Sequence, residues 1–160
     1  MEYRFATEWQ IPAPRDEVWP AIADSLRWPT WWRGVRAVIE LEPLDAEGVG
    51  GVRRYTFRRL LPYDLVFDMR TVRVEVHQLL EGAATGELAG TGRWILTEAD
   101  PGVTDIQYVW EVQTTKPWMN LLARLLRPVF AWNHDVIMRW GEEGLRAYLN
   151  RRPKVKAKVP

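Results

Sequence analysis

The amino-acid sequence predicts an α+β domain, a curved seven-stranded antiparallel sheet wrapped around one long C-terminal helix. Three observations carry that expectation. Between Val35 and Thr114 apolar residues recur with period two, interrupted by glycine- and proline-marked turns, which is the pattern of a strand meander. Between Thr115 and Leu149 the period becomes that of an amphipathic helix. Between a first strand and the meander lie only two short helical patterns. A helix of that length with so much aromatic surface has to bury itself against the sheet.

The elements follow in order. Tyr3, Phe5, Thr7, Trp9 and Ile11 alternate with polar or small residues, as in a half-buried strand, until Pro12 and Pro14 end it. Pro14 suits a helix start, Asp16 and Glu17 sit near its positive end, and Val18, Trp19 and Ile22 face inward. Pro20 keeps this helix short or distorted. A second short helix or a turn is expected over 25–32, and Gly34 closes it. Val35, Ala37, Ile39 and Leu41 alternate, and a glycine-rich turn leads to a strand from Val52 to Arg59. The longest strand is expected from Leu65 to His77. Its early half places Leu65, Phe67, Met69 and Thr71 on one face and its later half Val72, Val74 and Val76 on the other, a phase change that predicts a bulge or strong bend near Thr71 and Val72. Two strands meet around Gly86 and Gly90, one continuing through Trp94 and Leu96. The Asp100–Gly102 turn opens the last strand, with Ile106, Tyr108, Trp110 and Val112 in one row.

In the long helix the apolar face is read as Trp118, Met119, Leu122, Leu125, Leu126, Val129, Phe130, Trp132, Val136, Ile137, Trp140 and Gly144. Asn120, Arg124, Asp135, Arg139, Glu142 and Arg146 lie opposite. Thr114 or Thr115 is the expected N-cap, Pro117 fits the first turn, and Pro128 predicts a kink or a break.

At 160 residues the chain fits one domain, 1–150, with a basic tail over 151–160. Twenty-two Lys and Arg against 21 Asp and Glu give a net charge of +1, no field for recruiting nucleic acid. The run from Arg151 to Lys158 reads as a solvated tail, with binding to an anionic surface as the alternative. Without cysteine there is no disulfide, thiolate nucleophile or cysteine metal site. The charged, alternating N-terminus is neither a signal peptide nor a membrane span, so no stable membrane insertion is expected and the cytoplasm is the default. Ten tryptophans are too many to bury with every N–H satisfied, unless some line a cavity or face a partner. A curved sheet cannot pack flat along a straight helix, and the gap between them becomes the pocket.

The run PAPRDEVW at 12–19, WPTWW at 28–32, the strand through Tyr108, Val109, Trp110, Glu111 and Val112, and the terminal helix resemble the polyketide cyclase/dehydrase branch of the START-like (SRPBCC) superfamily. That group includes birch-pollen-allergen-like and lipid-transfer proteins, and the resemblance spans residues 3 to 149. It implies a helix-grip fold with a deep hydrophobic cavity. It is weak for any one activity, because the superfamily hosts carriers, cyclases and other functions.

The expected partner is therefore a hydrophobic small molecule, aromatic, polyketide-like or lipid, held by a carrier. A polyketide cyclase or dehydratase using the same cavity is the first alternative and a protein-interaction module the second. Trp28, Trp31, Trp32, Phe57, Phe67, Trp94, Tyr108, Trp110, Phe130, Asn133, Ile137 and Trp140 are the candidate lining, with core packing as the competing reading. Asn133, a bare amide in an apolar stripe, is the sharpest candidate for holding a ligand oxygen; the competing reading bonds it to backbone or buried water. Tyr108, Asn133 and His134 are the weak catalytic candidates, placed to position or protonate carbonyl oxygens. Neither His77 nor His134 has acidic company for a metal site, and no metal or other cofactor is expected. Asp68, Arg70 and Glu81 are charges within or beside the central strands: Asp68 and Arg70 read as convex and solvated, with an in-cavity acid and cation that could polarise a carbonyl or bind a carboxylate as the alternative. Glu111 reads as outward, and the glycines at 48–51 read as a hairpin rather than a phosphate loop.

Overall fold

The computed structural model describes residues 2–58, 64–115, 117, 121 and 123–152. The chain runs β1 (Glu2–Ile11), α1 (Arg15–Ala23), a 3₁₀ turn (Ser25–Arg27) and α2 (Trp28–Trp31). It continues through β2 (Val35–Glu42), β3 (Val52–Phe57), β4 (Leu65–Glu75), β5 (Leu79–Gly86), β6 (Leu88–Asp100) and β7 (Val103–Thr114) to α3 (Ala123–Arg151). One antiparallel sheet has the order β1-β7-β6-β5-β4-β3-β2, so the first strand closes onto the last. The seven strands, the two short helices and the long terminal helix are those expected.

The sheet curves where its ladders slip. Register shifts fall between Val35 and Ala37, between Glu40 and Glu42, between Thr71 and Arg73, and between Thr97 and Asp100. The slip at Thr71–Arg73 is the bulge announced by the phase change in β4. Each extra residue increases the local bend.

Some expectations need correction. The longest strand is β6, of 13 residues, whereas β4 stops at Glu75 and His77 adopts a positive φ in the turn that follows. In β2 the slip after Val35 reverses the faces, so Val38 packs on the core while Ile39 and Leu41 are exposed. α3 passes through Pro128 unbroken. The Thr115 hydroxyl donates to the carbonyls of Gly86 and Glu87, at 2.8 and 3.3 Å, and the first-turn residues that Thr114 or Thr115 was expected to cap lie outside the described residues. Trp118, Met119, Asn120, Leu122, Arg59 and the tail from Pro153 lie outside the described residues.

The buried face of α3 is rotated from the expected one. Ile137, Met138, Gly141, Leu145 and Leu149 are buried, whereas Trp132 is 54% and Leu125 74% exposed. Glycine decides the rotation. A Cβ on Gly141 would lie 2.6 Å from the Trp9 ring, and one on Gly144 only 1.9 Å from the Trp31 carbonyl oxygen. The helix therefore presents bare backbone where it meets β1 and α2.

Trp9, Trp28, Trp32 and Trp94 form the centre of the core, with ring centroids 5.1–6.0 Å apart for the contacting pairs. Trp28 Nε1 donates to the Ala21 and Ile22 carbonyls and Trp32 Nε1 to the Ile137 carbonyl at 2.8 Å, so two indoles tie the short helices down. The Glu98 carboxylate accepts from the N–H groups of Arg15 and Gly102, which caps α1 from the end of β6.

Candidate functional site

Cross-strand pairing carries inward residues into continuous rows. One runs Tyr3, Val112, Gly90, Ala84, Met69, Arg53 and a second runs Phe5, Trp110, Gly92, Gly82, Thr71. The paired glycines Gly92 and Gly82 carry no side chain of their own. The Trp110 ring lies over the first and the Met69 thioether over the second, each within 3 Å of where a Cβ would stand. The floor of the sheet is thus hollow at its middle and roofed by aromatic rings.

A cavity of about 110 Å³ opens between this floor and α3. Trp28, Trp32, Phe57, Phe67, Trp94, Tyr108, Trp110, Phe130, Asn133 and Ile137 all border it, as does His134. Trp31 and Trp140 do not. Trp31 stacks on Trp32 at 5.6 Å, and Trp140 lies under the Arg33 guanidinium at 4.4 Å. His77 is elsewhere too, 3.3 Å from Asp16. Tyr3, Phe5, Arg58, Leu65, Leu88, Val112, Thr114 and Met138 complete the border and were not foreseen. For Tyr3, Phe5 and Val112 the signal was present, since they continue the inward rows of β1 and β7.

Beneath this outer chamber is an inner one of about 40 Å³, bordered by Ser25, Tyr55, Met69, Thr71, Gly82 and Gly92 among others. Trp28, Phe57, Phe67, Trp94 and Tyr108 border both and form the partition. Trp94 stacks on Tyr108 at 4.1 Å, and Phe57 on Phe67 at 5.8 Å.

The polar groups fall into two sets. At the outer chamber His134 stacks on Phe5 at 4.4 Å, and neither ring nitrogen has a hydrogen-bond partner among the described residues. The Asp135 carboxylate is 3.6 Å from Nδ1, beyond hydrogen-bond reach. Burial lowers the His134 pKa, and Asp135 opposes that only in part. The Tyr3 hydroxyl is likewise buried and unpartnered. Burial raises the Tyr108 pKa far above its ordinary value, and the neighbouring Tyr55 adds to the effect. Tyr108 can therefore give a hydrogen bond, but it is a poor proton donor in the full sense.

At the inner chamber Ser25 Oγ and Tyr55 Oη are 2.7 Å apart, and Arg53 Nη1 donates to Ser25 Oγ at 2.8 Å. The Arg53 side chain is only 13% exposed, and the carboxylate it faces, Glu40, stands 3.6 Å away. Burial raises the Tyr55 pKa, opposed by the Ser25 hydrogen bond and by Arg53. An inward arginine was missed. Its parity with Tyr55 and Phe57 in β3 would have exposed it.

Several other strand charges pair with one another away from the two chambers. Arg54 grips Asp68 at 2.7 and 2.9 Å, Arg70 meets Glu42 at 3.0 Å, and Glu111 pairs with Arg4 and Arg93. Glu81 stands in register between Arg73 and Arg93 and is among the residues bordering the inner chamber. Among the described residues no group of three or more His, Asp or Glu is arranged to hold a metal ion, and no helix is long and apolar enough to cross a membrane.

A family model described as polyketide cyclase/dehydrase and lipid transport matches residues 3–150. Among curated proteins there is no match. An aromatase/cyclase from Streptomyces sp. R1128 has the same fold, with a TM-score of 0.80 at 15% identity over 99% of this chain and 100% of that one. A START superfamily protein from Mycobacterium smegmatis gives 0.74 at 11% identity, covering 92% and 97%. A di-domain ARO/CYC from the BE-7585A biosynthetic pathway gives 0.70 at 18% identity, with 95% of this chain spanning 51% of that one. At such identities the likeness is one of fold.

Proposed function

The chain belongs to the polyketide cyclase/dehydrase and lipid transport family, and from that premise we propose that it binds a small planar aromatic molecule between sheet and helix and carries it unchanged. The observation that supports this is the aromatic lining of the outer chamber. Flat faces of Trp28, Trp94, Tyr108 and Trp110 offer stacking surfaces, and the few polar groups at the rim are placed to orient a ligand.

Size favours a ring over a long acyl chain. An engineered protein cavity of roughly 150 Å³ takes one benzene ring. The outer chamber, at about 110 Å³, accommodates about one ring within its walls. An extended chain would need the partition to part.

The competing reading is catalysis by the same cavity. His134 favours it, because a neutral imidazole with both nitrogens unpartnered is able to take a proton from a bound ligand. One experiment separates the readings. The protein is incubated with phenol or with dodecanoic acid, examined by native mass spectrometry, and then extracted under denaturing conditions, alongside protein taken directly from its host. A one-to-one aromatic complex that returns the molecule unchanged is expected. Recovery of a cyclised or dehydrated product from host-derived protein would move the conclusion to catalysis. Adducts with dodecanoate alone, or with neither, would remove it.

A further inference from the structure

The outer face of α3 changes character halfway along. Leu121, just ahead of the helix proper, Leu125 and Trp132 fall in one line along it and are 85%, 74% and 54% exposed. Pro128, also exposed, lies in the same line. Farther along, that line carries Asp135, Arg139, Glu143 and Arg146, all exposed, as a solvated helix face does. Single exposed apolar residues need no explanation, but a row of them about 16 Å long does.

The charges around the row are of one sign. Between Thr115 and His134 the sequence holds Lys116, Arg124 and Arg127 and neither Asp nor Glu, whereas both signs occur beyond His134. Arg127 is exposed and joins no ion pair among the described residues. On the inner side of the same turns Phe130, Asn133 and His134 border the outer chamber. The row and the chamber are thus separated by one helix, about 10 Å across.

Three possible occupants of this face differ in what they need. A second copy would set two basic, acid-free segments against each other, and like charges repel. A specific protein partner needs roughly 1,000 Å² of complementary contact, more than a ridge of a few side chains supplies. A bilayer needs no groove. It receives Leu and Trp side chains at the boundary between headgroups and acyl chains and, where its lipids are anionic, it attracts the arginines. We infer that the first half of α3 is a docking surface for an anionic lipid bilayer, which sets the outer chamber one helix away from the membrane. The contact is peripheral, since no described helix is long and apolar enough to cross. Docking on the outside of α3 does not depend on what the chamber holds; together with the carrier reading it makes the membrane the place where the cargo is exchanged.

The test is flotation of the unaltered chain and of the double variant Leu125→Gln/Trp132→Gln with two kinds of vesicle, phosphatidylcholine alone and an equal mixture of phosphatidylcholine and phosphatidylglycerol. Neither substitution changes the charge. The unaltered chain should bind the mixed vesicles about tenfold more tightly than the neutral ones, and the double variant should lose about tenfold in affinity for the mixed vesicles. Equal binding to both vesicles would overturn the inference, and no binding to either would do the same and leave the row to a protein partner. Binding that the double variant keeps in full would also overturn it, because the attachment would then belong to the basic tail over 151–160. Sedimentation without lipid that showed a dimer of the unaltered chain and a monomer of the variant would give the row to a second copy instead. None of these outcomes touches ring binding by the chamber, which the phenol experiment decides. If the double variant does not fold, quenching of the unaltered chain's tryptophan fluorescence by phosphatidylglycerol brominated on its acyl chains decides the matter. Quenching is expected, and its absence would overturn the docking.

Discussion

His134 is the side chain whose protonation the fold changes most usefully. Its pKa lies at the ordinary value near 6.5 in the unfolded chain and is lowered by burial in the folded one. The unfolded state therefore takes up a proton first as the pH falls, and stability declines from about pH 6.5 downward until the folded-state pKa is passed. Above that window the group contributes nothing to the slope. Asp68, held low by its Arg54 hydrogen bonds, acts only in the more acid carboxylate range. Urea denaturation at pH 7.5 and 5.5 should show less loss of stability in His134→Phe than in the unaltered chain; equal losses would show that the imidazole is hydrated in the fold. Residue identity was the most legible level for the aromatics, since period-two rows alone nominated Trp94, Tyr108 and Trp110. It was least legible where a polar residue shares such a row. Arg53 lies in the same parity as Tyr55 and Phe57, but a charged side chain in a strand is ordinarily solvated, and it is tenable inside because the Ser25 hydroxyl and the Glu40 carboxylate, both brought by other elements, stand beside it.

Among elements, α3 illustrates how close packing overrides an apolar pattern. Its apolar residues between Leu125 and Ile137 spread over a wide arc, so hydrophobicity alone could not select the face. Gly141 and Gly144 select it, by allowing Trp9, Trp32 and the α2 backbone to touch the helix. Gly144→Ala would drive a methyl group into the Trp31 carbonyl, which is backbone and cannot swing aside. A loss of about 2 kcal/mol or more is expected in chemical denaturation, above the gain of up to about 1 kcal/mol that alanine brings to a helix interior. A neutral or stabilising outcome would mean that α3 sits further from α2. The strands teach the converse lesson. The bulge in β4 was visible because an apolar row changed parity in the sequence, whereas the slip after Val35 in β2 was not, because Ile39 and Leu41 keep an alternation that looks buried and is not.

For the molecule as a whole, the question posed by ten tryptophans has a mixed answer. Trp28, Trp32, Trp94 and Trp110 border the cavity, Trp9, Trp19 and Trp31 are packed in the core, and Trp132 faces out in a stripe with Leu121 and Leu125. Because that stripe has shed little solvent, replacing Leu125 and Trp132 together by lysine should change unfolding free energy by no more than about 0.5 kcal/mol per site. A larger destabilisation would mean that the outer face packs against something in solution.

The strand order has a further consequence, in time rather than in space. Glu2 pairs with Gln113 and Ile11 with Thr104, so the first strand made must wait for the last. At about 5–20 residues per second of synthesis, Tyr3, Trp9 and Ile11 leave the ribosome several seconds before any partner exists. During that interval the segment is an unpaired, aromatic-rich edge, the kind that recruits chaperones or neighbouring chains. The last strand to emerge, β7, both completes the floor and takes β1 in, so the pocket comes into being only when nearly the whole chain is available.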